Sequence, residues 1–162
     1  MLIPSDGTFS HSQRISNHTG FTLIELMIVT AILATLAAIA VPMISEYARR
    51  ARTARAIQEI RLLQGEITAF EIEAGGPPAD LSEIDRTGLK DPWGHPYQYQ
   101  RLDLVPKGRW RKDKFLVPIN STYDLWSMGP DGESAAPLTA KKSQDDIIRA
   151  NDGSFVGRAS SY

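Results

Sequence analysis

The residue with the most demanding chemistry in this sequence is Glu25, a carboxylate at the edge of an apolar stretch. Residues 26–45 carry no charged side chain, and about 20 such residues are enough for a helix to cross a bilayer. A charged side chain costs up to about 2.5–3.5 kcal/mol at the centre of a membrane span. Glu25 therefore either lies at the level of the lipid headgroups, where it stays solvated, or is compensated by another group.

Side chains that could support catalysis are sparse elsewhere. Cysteine is absent, which excludes disulfides, thiolate zinc sites and a cysteine nucleophile. His95 is the only histidine after residue 20, so the sequence indicates neither a histidine metal cluster nor a Ser-His-Asp arrangement. We predict that the chain is not an enzyme.

A short basic segment, residues 107–112, interleaves lysines and arginines with Trp110. Nucleic-acid sites can have this composition, but charged runs in loops are usually solvated surface. The formal net charge of −1 also gives no general attraction to nucleic acid. Nucleic-acid binding is therefore not predicted.

The elements that position these residues follow from length and periodicity. The 162 residues suit one compact domain plus an appendage. After Pro42, which either kinks the helix or ends the span, apolar residues recur at helical spacing among charged ones. These residues are Ala48, Ile57, Ile60, Leu63, Ile67 and Phe70. We predict one helix from the apolar span to about Ala74, where the sequence Gly-Gly-Pro-Pro at 75–78 ends it.

The rest of the chain is divided by glycines and prolines into short runs. Three of these, residues 97–102, 115–119 and 123–128, have the composition of antiparallel strands. The apolar face of the helix needs a cover, and a small sheet would supply it. We predict an α+β fold in which a long N-terminal helix packs on a small antiparallel sheet.

The segment GFTLIEL at residues 20–26 closely resembles the processing site of type IV prepilins and of the pseudopilins of type II secretion. The resemblance implies that a membrane-embedded prepilin peptidase cuts between Gly20 and Phe21 and methylates the amine of Phe21. Residues 1–20 would then be a removed leader peptide, residues 21–45 a transmembrane and filament-core helix, and residues 46–162 a periplasmic globular domain of pilin type. It also implies that Glu25 neutralises the terminal amine of a neighbouring subunit during assembly, since unpaired charges are costly in hydrocarbon.

The distribution of basic residues gives the opposite expectation for topology. Only Arg14 precedes the apolar span, and four arginines follow it closely, whereas basic residues usually stay on the cytoplasmic side. The four are Arg49, Arg50, Arg52 and Arg55. The processing motif is the more specific feature, so we expect the leader in the cytoplasm and the globular domain in the periplasm, anchored in the bacterial inner membrane.

Two segments of the globular half resemble the hallmarks of major pseudopilins. They are DPWGHPYQY at residues 91–99 and YDLWSMGPDG at residues 123–132. With the N-terminal motif, the resemblance extends over most of residues 20–132. It favours a major pseudopilin over a pilin for adhesion or motility.

In major pseudopilins the second hallmark forms part of a calcium site, and the matching carboxylates here are Asp124 and Asp131. Calcium takes about six to eight oxygen ligands, so it could fasten a polar loop. The sequence departs from the family pattern after Gly132, and the other ligands stay open among Glu133, Asp145, Asp146 and Asp152. Lys141 and Lys142 would oppose a nearby cation. In the alternative interpretation, Asp124 and Asp131 are simply turn or exposed-strand residues.

Together these features predict a structural subunit of a periplasmic pseudopilus that drives protein export by type II secretion. The expected partners are other copies of the chain, minor pseudopilins, the prepilin peptidase, and an inner-membrane assembly platform with its ATPase. Two alternatives stay open. One is a type IV pilus pilin for adhesion, motility or DNA uptake, and the other is a membrane-anchored binding domain that does not polymerise, in which Glu25 is incidental.

Overall fold

The computed structural model describes residues 20–162, so the predicted leader lies outside the described residues apart from Gly20. The described chain forms one long helix and a four-stranded antiparallel sheet. Helix α1 spans Leu23–Ala74, and the strands are β1 at Gln98–Arg101, β2 at Tyr123–Ser127, β3 at Ile147–Ala150 and β4 at Phe155–Arg158. The predicted α+β fold, a long N-terminal helix packed on a small antiparallel sheet, is confirmed.

Helix α1 ends where the sequence predicted. Gly75 adopts a positive φ of 80°, and its amide donates to the carbonyl of Glu71 at 2.9 Å. Glycine reaches this left-handed conformation without steric cost, which makes it the usual residue just past a helix. Pro42 lies inside α1, so it does not end the helix.

The chain divides into two units, which meet after Pro42. In the second unit, Met43–Tyr162, one face of α1 is fully buried. The buried residues recur at spacings of four, three and four, which places them on one side of a helix: Ala56, Ile60, Leu63 and Ile67. They pack against the sheet residues Tyr123, Leu125, Ile147 and Val156.

Polar contacts also fasten α1 within this unit. The hydroxyl of Tyr97 donates to Glu59 at 2.6 Å, and burial of the phenol raises the pKa of Tyr97 well above its ordinary value. Arg86 forms a salt bridge with Glu66, in which Nε donates at 2.7 Å. These contacts tie the segment after α1 back onto the helix.

The sheet is buried on both faces. Its strands follow in the order β1-β2-β3-β4, and alternation along each strand sends neighbouring residues to opposite sides. Tyr123 and Leu125 of β2 therefore face α1, while Trp126 packs into a second cluster on the opposite face. That cluster consists of Ile119, Leu138, Ile148, Ala150 and Ala159 with Trp126 and Phe155. The connections β1–β2 and β2–β3 supply Ile119 and Leu138, so these long loops form the second cover.

Two of the three predicted strands are confirmed with slightly shorter bounds, as β1 and β2, but the strand predicted at 115–119 is wrong. The carboxylate of Asp113 accepts hydrogen bonds from the amides of Phe115 and Val117, at 2.8 and 2.9 Å, and Leu116 adopts a positive φ of 61°. The segment is a tight turn that leaves three apolar side chains exposed, from 55% to 74%. Strand composition there was overridden by this local carboxylate–amide bonding.

The C-terminal strands β3 and β4 were not predicted. They pair in antiparallel register, with Ile148 opposite Gly157 and Ala150 opposite Phe155. Strand β3 also pairs with β2, through Trp126 opposite Ile148. The sheet therefore extends past the second hallmark to the end of the chain.

The packing of α1 predicts that mutation of two adjacent leucines to alanine has very different effects on the free energy of unfolding. Leu63 is 0% exposed and Leu62 is 57% exposed. We expect Leu63→Ala to lower the free energy of unfolding by about 2–5 kcal/mol, because it removes buried methyl groups and leaves a cavity. Leu62→Ala, the matched control, is expected to change it by less than about 0.5 kcal/mol. Denaturant unfolding of the detergent-solubilised chain measures both, and equal losses would contradict this packing.

Candidate functional site

The first turn of α1 holds Glu25 in a defined position. The backbone amide and the hydroxyl of Thr22 both donate to Oε2 of Glu25, at 2.8 and 2.7 Å. In return, the backbone amide of Glu25 donates to the Thr22 hydroxyl oxygen at 3.2 Å. This reciprocal arrangement is a capping box, with Thr22 as the N-cap and Glu25 three residues later. Glu25 thus stabilises its own helix start, a role that the spacing Thr-x-x-Glu could have revealed.

Beyond Glu25, the N-terminal part of α1 exposes large apolar side chains on all sides. Their exposed fractions include 60% for Leu26, 54% for Ile32 and 68% for Ile39. Among residues 20–162, α1 is the helix that is long and apolar enough to cross a membrane, judged by length and composition. A continuous apolar surface of this kind requires a cover of lipid or protein.

The two hallmark segments of the globular unit form one junction around Asp91. This carboxylate is 4% exposed, and its Oδ1 accepts from the amides of Trp93 and His95 at 3.0 and 2.9 Å. Its Oδ2 accepts from the hydroxyl of Ser127 in β2 at 2.5 Å. Nδ1 of His95 lies 3.0 Å from the carbonyl oxygen of Gly129, so that nitrogen carries the proton. His95 therefore has a structural role in this junction.

Two glycines let the chain pass closely through this junction. A Cβ at Gly132 would lie 2.7 Å from Nε2 of His95, and one at Gly129 would lie 2.7 Å from the carbonyl oxygen of Asp145. Both residues also adopt positive φ, 70° and 67°. Side chains at either position would clash, which accounts for glycine at both.

The structure places the two predicted calcium ligands in different surroundings. Asp124 is fully buried in β2, where its Oδ2 accepts from the Arg111 amide and the Gln100 side chain, at 2.8 and 2.9 Å. Its Oδ1 accepts from the Asn120 side chain at 2.9 Å. Asp131 is exposed, and its Oδ1 accepts from the amide of Glu133 at 2.9 Å in a local turn.

The donors around Asp124 do not fit a cation, because both of its oxygens already face N–H groups. No group of three or more His, Asp or Glu side chains is placed to hold a metal ion within residues 20–162. Calcium binding at Asp124 and Asp131 stays a prediction.

Of the remaining carboxylates that were left open as ligands, Glu133 and Asp145 share one groove with Asp131, whereas Asp152 and Asp146 lie elsewhere. Asp152 accepts from the amide and the hydroxyl of Ser121, both at 2.8 Å. Glu133 and Asp145 line an open surface groove that Lys141 and Lys142 share, and these cations oppose a bound metal. Asp146 is fully buried and pairs with Arg111, and burial raises the pKa of Asp146 to about 6.

Comparison with known proteins bears on the helix start and on the globular unit. A family model described as the prokaryotic N-terminal methylation motif matches residues 15–41, which contain the predicted cleavage site and Glu25. Type II secretion system core protein G of Vibrio cholerae serotype O1 is 26% identical over 132 residues, covering 78% of this chain and 90% of that relative. The chain carries the N-terminal motif of type IV pilin-like proteins and is distantly related to a type II secretion system core protein G. No solved structure matches it.

The chain thus combines a methylation motif with a sheet domain of the expected class. The pilin-like proteins that it resembles are structural, which agrees with the prediction that the chain is not an enzyme. The motif and the apolar part of α1 are consistent with an anchor in the inner membrane. The alignment with core protein G covers 132 residues, many more than the motif at residues 15–41, so the resemblance extends into the globular unit.

The Asp91 junction predicts an effect of mutation on stability. Asp91→Ala leaves the buried hydroxyl of Ser127 and two amides without their acceptor, which we expect to cost about 1–3 kcal/mol of unfolding free energy. Asp103→Ala is the control, because Asp103 is exposed and pairs with Arg101 only at the surface, where such pairs contribute about 0–1 kcal/mol. Both are measured by denaturant unfolding, and an equal effect would show that Asp91 does not hold the junction.

Proposed function

We propose that this pilin-like protein is the major pseudopilin of a type II secretion system. In this role its copies assemble through α1 into a periplasmic filament that drives protein export. The observation that carries the proposal is the placement of Glu25, which a capping box fixes at the start of an exposed apolar helix inside a methylation motif. The similarity to a type II secretion system core protein G supports secretion as the process.

Processing would place two opposite charges at the start of α1, the new amine of Phe21 and the carboxylate of Glu25. A prepilin peptidase cutting between Gly20 and Phe21, and methylating the new amine, leaves a positive charge one residue before the N-cap Thr22. Both bonds from Thr22 end on Oε2 of Glu25, so the second carboxylate oxygen is the one available to the amine of a neighbouring copy. In hydrocarbon, each charge alone is costly, and pairing them favours only the register in which they meet.

The apolar surface of α1 would have two covers in turn. Before assembly, lipid covers residues 26–45 in the inner membrane, and the globular domain lies in the periplasm. In the filament, other copies replace the lipid, and repetition of one contact between two different surfaces generates an open helix. Assembly requires an inner-membrane platform and its ATPase, together with minor pseudopilins.

A type IV pilus pilin is the second candidate, because the methylation motif by itself does not specify secretion. It shares the cleavage and the Glu25 pairing but predicts loss of a surface fibre and its adhesion, motility or DNA uptake. A membrane-anchored domain that never polymerises predicts that Glu25 has no role in any assembly.

The test is the neutral, nearly isosteric variant Glu25→Gln in cells that carry the secretion machinery. We expect normal insertion into the membrane. We also expect the amounts of sheared filaments and of exported protein to fall at least about tenfold, because the variant leaves the terminal amine of the neighbouring copy unpaired. An unpaired charge in the membrane costs more than about 1.4 kcal/mol, which corresponds to a factor of about ten. Glu73→Gln is the matched control, since Glu73 is exposed on the same helix beyond the apolar segment.

Three outcomes separate the candidates. Loss of filaments and export in Glu25→Gln alone supports the pseudopilin. Loss of filaments with normal export supports the pilus pilin. The absence of filaments from both the natural chain and the variant, with function unchanged in the variant, supports the non-polymerising anchor. Filaments that form equally well in the variant would contradict the assembly role of Glu25.

A further inference from the structure

Arg111 is a buried cation in the loop layer that covers the outer face of the sheet. It is 2% exposed, although it belongs to the basic segment 107–112 that resembles solvated surface in the sequence. Its guanidinium lies 4.9 Å from the ring centroid of Trp126, within the range of a cation–π contact. Its backbone amide donates to the buried Asp124 at 2.8 Å. The side chain and the backbone of Arg111 thus both fasten the β1–β2 connection to β2.

The guanidinium is surrounded by oxygen atoms from one segment, residues 134–146. One terminal nitrogen donates to Oδ2 of Asp146 at 2.5 Å. The other donates to the carbonyl oxygen of Ala135 at 2.8 Å and to the hydroxyl of Ser134. The Ser134 hydroxyl in turn donates to Asp146 Oδ2 at 2.6 Å. A single cation therefore joins Ser134 and Ala135 to Asp146, the last residue of the β2–β3 connection.

Carboxylate and carbonyl oxygens are ligand types that calcium prefers in proteins. Here both types, with one hydroxyl oxygen, converge on a cation that belongs to the chain itself. The planar guanidinium also has fixed donor directions, which suit a set of oxygens held at defined positions. The site already contains the positive charge that the loop carboxylate needs.

A second buried arginine is linked to Asp124 through Asn120. Arg149 is 5% exposed, and its guanidinium donates to the Asn120 side chain at 3.0 Å and to the carbonyl oxygen of Tyr123 at 3.2 Å. Asn120 bridges Arg149 and Asp124, because its amide nitrogen also donates to Oδ1 of Asp124 at 2.9 Å. Asp124 is thus enclosed by N–H donors from three chain segments, and these donors occupy the oxygens that a metal would need.

We propose that Arg111 serves as an internal cation that holds the β2–β3 connection in place of calcium, so that this domain folds and stays closed without a metal ion. The proposal concerns the globular unit and is independent of how α1 assembles. It replaces the calcium site that the second hallmark implies with a salt bridge supplied by the loop between β1 and β2.

The experiment is thermal unfolding of the full chain in detergent, in millimolar CaCl2 and separately in excess EGTA. For the natural sequence we expect midpoints that agree to within about 1 °C, since a ligand raises the midpoint only if the folded state binds it. A fall of about 5 °C or more on chelation would overturn the proposal.

Two variants test whether Arg111 is the group that stabilises the domain. Arg111→Ala removes one partner of a buried pair and leaves Asp146 uncompensated. We expect its unfolding midpoint in EGTA to lie about 10 °C below that of the natural sequence. Arg109→Ala is the matched control in the same loop, because Arg109 is exposed, and its midpoint should stay within about 1–2 °C. Equal midpoints for Arg111→Ala and Arg109→Ala would also overturn the proposal. If Arg111→Ala does not fold, the comparison of CaCl2 with EGTA on the natural sequence still decides the matter.

Discussion

One electrostatic constraint acts on the start of α1: a carboxylate at the start of an apolar helix must be compensated wherever that helix is removed from water. In the single chain, Glu25 obtains two hydrogen bonds from Thr22, which orient it and complete the first turn of α1. These bonds do not neutralise its charge. A positive charge must come from outside the capping box, and in the proposed assembly the processed N-terminus of a neighbouring copy would supply it. The rest of the proposed assembly follows from bringing these two charges together.

Helix α1 meets two different requirements along one continuous backbone. Between Ala56 and Ile67 it buries four apolar residues on one face, which the sheet covers. Before Pro42 its apolar residues surround the helix and are exposed, so their cover must be lipid or other helices. The part from Ala56 to Ile67 therefore stabilises the globular domain. The part before Pro42 is suited to membrane insertion and to assembly.

The sequence predicted those features that rest on local chemistry. The end of α1 at Ala74 follows from the glycine after it, and β1 and β2 follow from short runs of strand composition between turns. The strand predicted at 115–119 failed because Asp113 captures the amides of a turn. Strand β3 was missed because its four residues follow a polar stretch, and only pairing with β2 and β4 defines it. The surroundings of Asp124 depend on side chains from distant segments, such as Gln100 and Asn120, and no local pattern reveals them.

The most direct test of the central claim is the intact mass and N-terminal sequence of the chain extracted from bacterial membranes. We expect the chain to begin at a methylated Phe21 and to retain the whole apolar part of α1, with residues 1–20 removed. A chain that still carries residues 1–20, or one cut after the apolar segment, would contradict this expectation, because Glu25 would then have no neighbouring amine at the start of the helix to pair with.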